Sequence, residues 1–105
     1  MDWIEIIQLS AFTAQSKKAA DAAFKQLSPP ESGNGLTGIT LFESVGLENE
    51  LSIRLNWQGA YPKNGKSPLG RQLAEAFLEF GRIYHSGWIE IIEKKIEDWR
   101  YYHEN

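Results

Sequence analysis

The sequence predicts an α+β domain in the order β-α-β-β-α-β, and three observations carry that prediction. Leu51, Ile53, Leu55 and Trp57 alternate with Ser52, Arg54, Asn56 and Gln58, the period of a half-buried strand. Residues 14–27 and 68–80 repeat apolar side chains at helical spacing. Two Pro- and Gly-rich stretches, 28–35 and 59–66, break periodic structure between these segments.

Residues 3–10 read as the first strand, a short run with three β-branched isoleucines. Residues 14–27 are alanine-rich and place Ala20, Phe24 and Leu27 at i, i+4 and i+7 of a helix. Thr13 can cap its start, and Pro29 and Pro30 stop it. Residues 36–45 and 50–57 form a strand pair, closed by the short segment 46–49 into an antiparallel hairpin. In residues 68–80, Leu69, Leu73, Phe77 and Phe80 fall on one helical face. Ser67 suits the cap of that helix, Pro68 its first position, and Gly81 a left-handed residue at its end. Residues 82–94 read as the last strand; the competing reading is one helix over 88–102, with Trp88, Ile92, Ile96 and Trp99 on a face. Trp-Ile-Glu-Ile-Ile occurs at 3–7 and again at 88–92, which suits two strands that lie side by side. The order is that of a ferredoxin-like fold, with a four-stranded antiparallel sheet and two helices on one face.

The chain has 105 residues, matching one domain, with a core over 3–94 and a C-terminal tail over 95–105. Apolar residues make up 42% and charged residues 24%, an ordinary globular mixture. There is no cysteine, which removes disulfides, thiol catalysis and cysteine-ligated metal. The net charge of −3 disfavours nucleic acid as a partner. No apolar run nears the roughly 18 residues of a membrane span, and the N-terminal residues do not read as a signal peptide. A cytoplasmic protein with no membrane partner is the expectation.

Side chains alternate across a sheet, so parity assigns faces. Ile4, Ile6, Ile39, Leu41, Leu51, Ile53, Leu55, Ile89 and Ile91 are expected to face the helices. The other parity puts Trp3, Glu5, Ile7, Leu9, Thr40, Phe42, Arg54, Asn56, Tyr84, Trp88, Glu90 and Ile92 on a face with no helix left to cover it. Burying a large apolar side chain is worth roughly 1.5–3 kcal/mol, so such a face marks an interface or a ligand groove. Its candidate cover is a second copy of the chain, a small apolar ligand, or the tail with Trp99, Tyr101 and Tyr102. Trp3, Glu5, Phe42, Arg54, Asn56, Tyr84 and Trp88 are the expected ligand or interface residues. Arg54 is the cation nearest Glu5 or Glu90; a carboxylate there without a partner would suit proton transfer. His85, Asn56 and Glu90 are the catalytic candidates.

Three other motifs carry less. Residues 60–67, Ala-Tyr-Pro-Lys-Asn-Gly-Lys-Ser, follow a relaxed phosphate-loop pattern. Pro68 removes a backbone N–H where a phosphate would need one, so a lysine-rich loop capping a helix is the simpler account. His85 and His103 are too far apart to signal a metal, and no metal site is expected. No nucleophile elbow or dinucleotide fingerprint occurs.

The element order and the broad apolar sheet face resemble the dimeric α/β-barrel superfamily, antibiotic-biosynthesis-monooxygenase-like, over residues 3–94. The resemblance implies two ferredoxin-like subunits packed sheet to sheet around a space for an aromatic substrate. Some members oxidise that substrate without metal or flavin, so no cofactor is implied. Asn56, Trp57, Tyr84, His85 and Trp88 are of the residue types that line such pockets. The expected function is a homodimer binding a small aromatic or apolar ligand on its sheet face, as a cofactor-free monooxygenase or isomerase. The competing class is a non-enzymatic interaction module, such as a small acidic inhibitor or immunity-type protein. An RNA-binding sheet with Phe42 and Tyr84 stacking bases is opposed by the net charge.

Overall fold

The computed structural model describes residues 2–28, 30 and 34–96. The elements are β1 (Asp2–Ala11), α1 (Ala14–Lys25), β2 (Leu36–Glu43), β3 (Glu50–Gln58), α2 (Pro68–Phe77) and β4 (Gly81–Ile89), with one 3-10 turn at Leu78–Phe80. All strands join one antiparallel sheet in the order β2-β3-β1-β4. The first and last strands are therefore neighbours, and the ferredoxin-like expectation holds.

Local chemistry explains the helix starts. The Thr13 side chain accepts from the Ser16 N–H at 3.0 Å, and the Ser67 side chain accepts from the Gly70 N–H at 2.9 Å. Pro68 opens α2, where its missing N–H costs nothing. Both helices lie on one face of the sheet. Ala20, Leu73 and Phe77 pack there against Trp3, Ile7, Leu9, Leu51, Ile53, Leu55 and Trp57. Trp3 stacks on Trp57 with ring centroids 5.7 Å apart.

The structure corrects several expectations. β1 uses the other parity: Trp3, Glu5, Ile7 and Leu9 are buried under the helices, and Ile4 and Ile6 take the open face. β2 ends at Glu43, which leaves Val45 exposed. α1 ends at Lys25, so Leu27 lies past the helix and is exposed. β4 ends at Ile89 rather than 94, and residues 90–96 have no regular structure. Glu90, Ile91 and Ile92 are thus exposed beyond the sheet and belong to neither face. A helix over 88–102 is excluded for 88–96; the remaining positions, and Trp99, Tyr101 and Tyr102 with them, lie outside the described residues. The repeated pentapeptide pairs only through Trp3 with Ile89 and Ile4 with Trp88, because its second copy leaves the sheet. Gly81 is extended, with φ 171°, and not left-handed. It is required for space: a Cβ there would strike the backbone of Ser10 and Ala11.

Candidate functional site

The open face of the sheet follows from the register. Its central row reads Thr40, Arg54, Ile6 and Ser86 across the four strands. On one side lies the row Gly38, Asn56, Ile4 and Trp88; on the other lies Phe42, Ser52, Gln8 and Tyr84. Further along come Glu50, Ser10 and Arg82, where the Ser10 hydroxyl donates to the Glu50 carboxylate at 2.8 Å. None of the described helices covers these rows. Phe42 is 43% exposed, Trp88 56% and Tyr84 67%.

A concavity of about 390 Å³ opens on this face, lined by Ile4, Ile6, Gln8, Phe42, Ser52, Arg54, Ser86 and Trp88. Apolar side chains and two aromatic rings make its walls, and a few polar groups converge in it, the usual make-up of a small-molecule site. The Arg54 guanidinium lies over the Phe42 ring, 5.1 Å from its centroid. Its Nε is buried and has no hydrogen-bond partner among the described residues. The Trp88 indole N–H donates to Ser86 Oγ at 2.9 Å, which fixes the ring at the edge of the concavity. A second concavity, about 620 Å³, continues past Tyr84 and Phe42 towards Arg82 and Glu50.

Of the expected site residues, Phe42, Arg54, Asn56, Tyr84 and Trp88 do share this face. Trp3 and Glu5 do not: they lie on the helix side, and His85 joins them there, on β4 opposite Ile7 of β1. Trp57, one of the pocket types that the resemblance implies, also lies on the helix side. Glu90 is beyond the strand. Ile4, Ile6, Ser52 and Ser86 were missing from the expected site, although two follow from parity: Ser52 shares Arg54's parity, and Ser86 shares that of Tyr84 and Trp88.

Glu5 is fully buried and its carboxylate is fully used. Oε1 accepts from the Trp57 indole N–H at 3.0 Å and from the Ser67 hydroxyl at 2.6 Å. Oε2 accepts from the Ser67 backbone N–H at 3.0 Å and lies 2.5 Å from His85 Nε2. Glu5 Oε2 and His85 Nε2 share this hydrogen bond, whose donor is set by the histidine tautomer. The carboxylate thereby takes the anion position at the α2 N-terminus, where dipole and free N–H groups favour negative charge. This removes the phosphate-loop reading of residues 60–67, because the protein's own Glu5 uses the Ser67 donors. Gly70 completes the arrangement: any Cβ there would run into the Glu5 carboxylate. The cluster ties β1, β3, β4 and α2 together, and none of its residues lines the concavity of the open face.

Among the described residues no group of three or more His, Asp or Glu side chains could hold a metal. None of the described helices is long and apolar enough to cross a membrane.

Sheet order and helix placement define a class of architecture, the ferredoxin-like fold, which the chain shares with solved structures. Particular solved structures carry the likeness. Rv0793 from Mycobacterium tuberculosis superposes with a TM-score of 0.63 at 14% identity, over 90% of this chain and 100% of that one. SnoaB from Streptomyces nogalater, a cofactor-independent oxygenase, gives 0.52 at 13% identity, over 88% of this chain and 95% of that one. A dimeric ferredoxin-like protein from an uncultured marine organism gives 0.56 at 9% identity, over 90% and 93% of the two chains. No protein-family model matches the sequence, and no curated protein matches it significantly.

Proposed function

We propose that two copies of this chain pack open face to open face and hold a small aromatic ligand between them. One observation carries the reading: Phe42, Tyr84 and Trp88, all large and all exposed, frame concavities on the face of the sheet that no described helix covers. A self-complementary patch on a two-fold axis would bury those rings in both subunits at once. The dimeric neighbour and the cofactor-independent oxygenase of the same fold support the reading.

The chemistry we propose is oxygenation or isomerisation of that ligand without a bound cofactor. Among the described residues the concavity around Arg54 is lined by no Asp, Glu, His or Lys, so proton transfer by them would not use the ordinary general bases. Arg54, Asn56, Tyr84 and Trp88 are the groups left to orient a substrate and to stabilise charge on it. Glu5 and His85, the acid–base pair of the molecule, sit across the sheet in a structural role.

Sedimentation equilibrium of the full chain at micromolar concentration tests the assembly. Twice the chain mass is expected. A monomer under those conditions would remove the pocket between subunits and leave an interaction module as the better account.

A further inference from the structure

We infer that the ligand held at this face is an aromatic carboxylate, with its carboxylate on Arg54 and its ring against Phe42 and Trp88. The inference rests on the ligand-binding reading above and names the class of ligand.

Three observations lead to it. Arg54 stands in the central row of the open face, partly buried, and forms no ion pair among the described residues. The carboxylate expected to neutralise it, Glu5, is on the other side of the sheet and committed to four hydrogen bonds. The acids that do share the face among the described strands, Asp2 and Glu50, lie at its two ends, each four residues along its strand from the central row, and Glu50 accepts from Ser10 with both oxygens. Second, the Arg54 Nε is buried without a partner, and Phe42 covers one flat side of the guanidinium. The two terminal nitrogens are then the donors left for a ligand, and a carboxylate binds such a fork with two parallel hydrogen bonds. Third, the walls around that edge are Ile4, Ile6, Phe42 and Trp88, which suit a flat apolar ring and not a hydrated ion.

A two-fold dimer sharpens the demand. It would enclose Arg54 from both subunits in one dry space, and buried charge is tolerated only with a counter-charge and hydrogen bonds. One anionic ligand per site supplies both.

The test uses 2-naphthoate and its methyl ester, which share shape and differ in charge. Binding to the full chain is read by isothermal calorimetry and by quenching of tryptophan fluorescence at pH 7.5, where the acid is ionised. The acid is expected to bind at least ~10-fold tighter than the ester, a gap that a charge-assisted, partly desolvated pair readily produces. Arg54→Met should erase that difference while leaving the sedimenting mass unchanged, and Arg54→Lys should restore part of it. Equal binding of acid and ester would overturn the carboxylate assignment and leave the aromatic site standing. Failure of both probes to bind a wild-type dimer would overturn it as well. Tight binding of the acid only after Glu97, Asp98 and Glu104 are changed to glutamine would show that the chain's own C-terminal acids occupy Arg54, and would also overturn it. The mass measurement separates these results from loss of the dimer itself.

Discussion

The two faces of the sheet each carry a charged side chain near the centre, on adjacent strands and one row apart. Glu5 points to the helices from β1, and Arg54 points away from them on β3, next to Ile6. Glu5 is buried within its own chain and makes four hydrogen bonds. Arg54 is half-buried, with one nitrogen unpaired and an aromatic ring across it. One face is finished by the fold; the other, among the described residues, is not. On the function proposed above, a structural charge and a functional charge differ in whether the chain supplies the counter-groups.

Most of the fold was legible in the sequence because its signals are local. The alternation over 51–58, the caps Thr13 and Ser67, Pro68 and the helical spacing of Leu69, Leu73 and Phe77 all act within a few residues. The error in β1 has a physical cause. Trp-Ile-Glu-Ile-Ile is apolar on both parities, and Glu5 argues for placing its parity in water. The hydrogen-bond partners that make its burial possible are Trp57, Ser67 and His85, at sequence separations of 52, 62 and 80 residues, which no local pattern reveals. A count over the whole strand does carry the signal: Trp3, Ile7, Leu9 and Ala11 stand against Ile4 and Ile6, with Gln8 and Ser10 on the losing side. His85 shares the parity of Ile89, so the helix side was legible for it too; its residue type, not its parity, had put it among the catalytic candidates. Arg54, Phe42, Asn56, Tyr84 and Trp88 were placed correctly because β2, β3 and β4 have unambiguous parity within the sheet.

The comparison breaks first at Glu5. Glu5→Ala should orphan the Trp57 indole, the His85 ring and both donors of Ser67, at about 1–3 kcal/mol for each group left buried and unpaired. A loss of at least about 4 kcal/mol in urea melts is expected, much of the stability of a domain this size. Glu5→Gln keeps the shape and about half of the hydrogen bonds, so it should lose less. A Glu5→Ala protein as stable as wild type would mean that the carboxylate is dispensable, and the contrast between the faces would go with it.

Phe77 anchors the same covered face through α2, with Phe80 beside it at 5.6 Å between ring centroids. Phe77→Ala should cost about 3–5 kcal/mol, as truncation of a buried Phe does. A loss under about 1 kcal/mol in denaturant melts would show that α2 does not seal the core. On the open face, Trp88→Glu places a charge in the proposed contact between subunits. Its fold should survive, since Trp88 is 56% exposed in the single chain. Sedimentation should show the dimer split at micromolar protein, a weakening of at least ~10-fold. An unchanged mass for Trp88→Glu would place the subunit contact elsewhere.

The smallest effect expected is the most telling. Arg54→Met keeps the length of the stem over Ile6 and Phe42 and removes the charge. The fold gives Arg54 no ion pair among the described residues and leaves its Nε unpaired, so little native bonding is lost. The cation–π contact with Phe42 is worth about 0.5–1 kcal/mol at a half-exposed site, and relief of the unpaired nitrogen offsets part of it. The midpoint of urea unfolding should therefore shift by less than about 1 kcal/mol in free-energy terms, in either direction. Glu5→Ala measured beside it gives the scale. A loss of 3 kcal/mol or more at Arg54, comparable to the break of a buried ion pair, would mean that the chain already supplies its counter-charge, and the open face would then be as finished as the covered one.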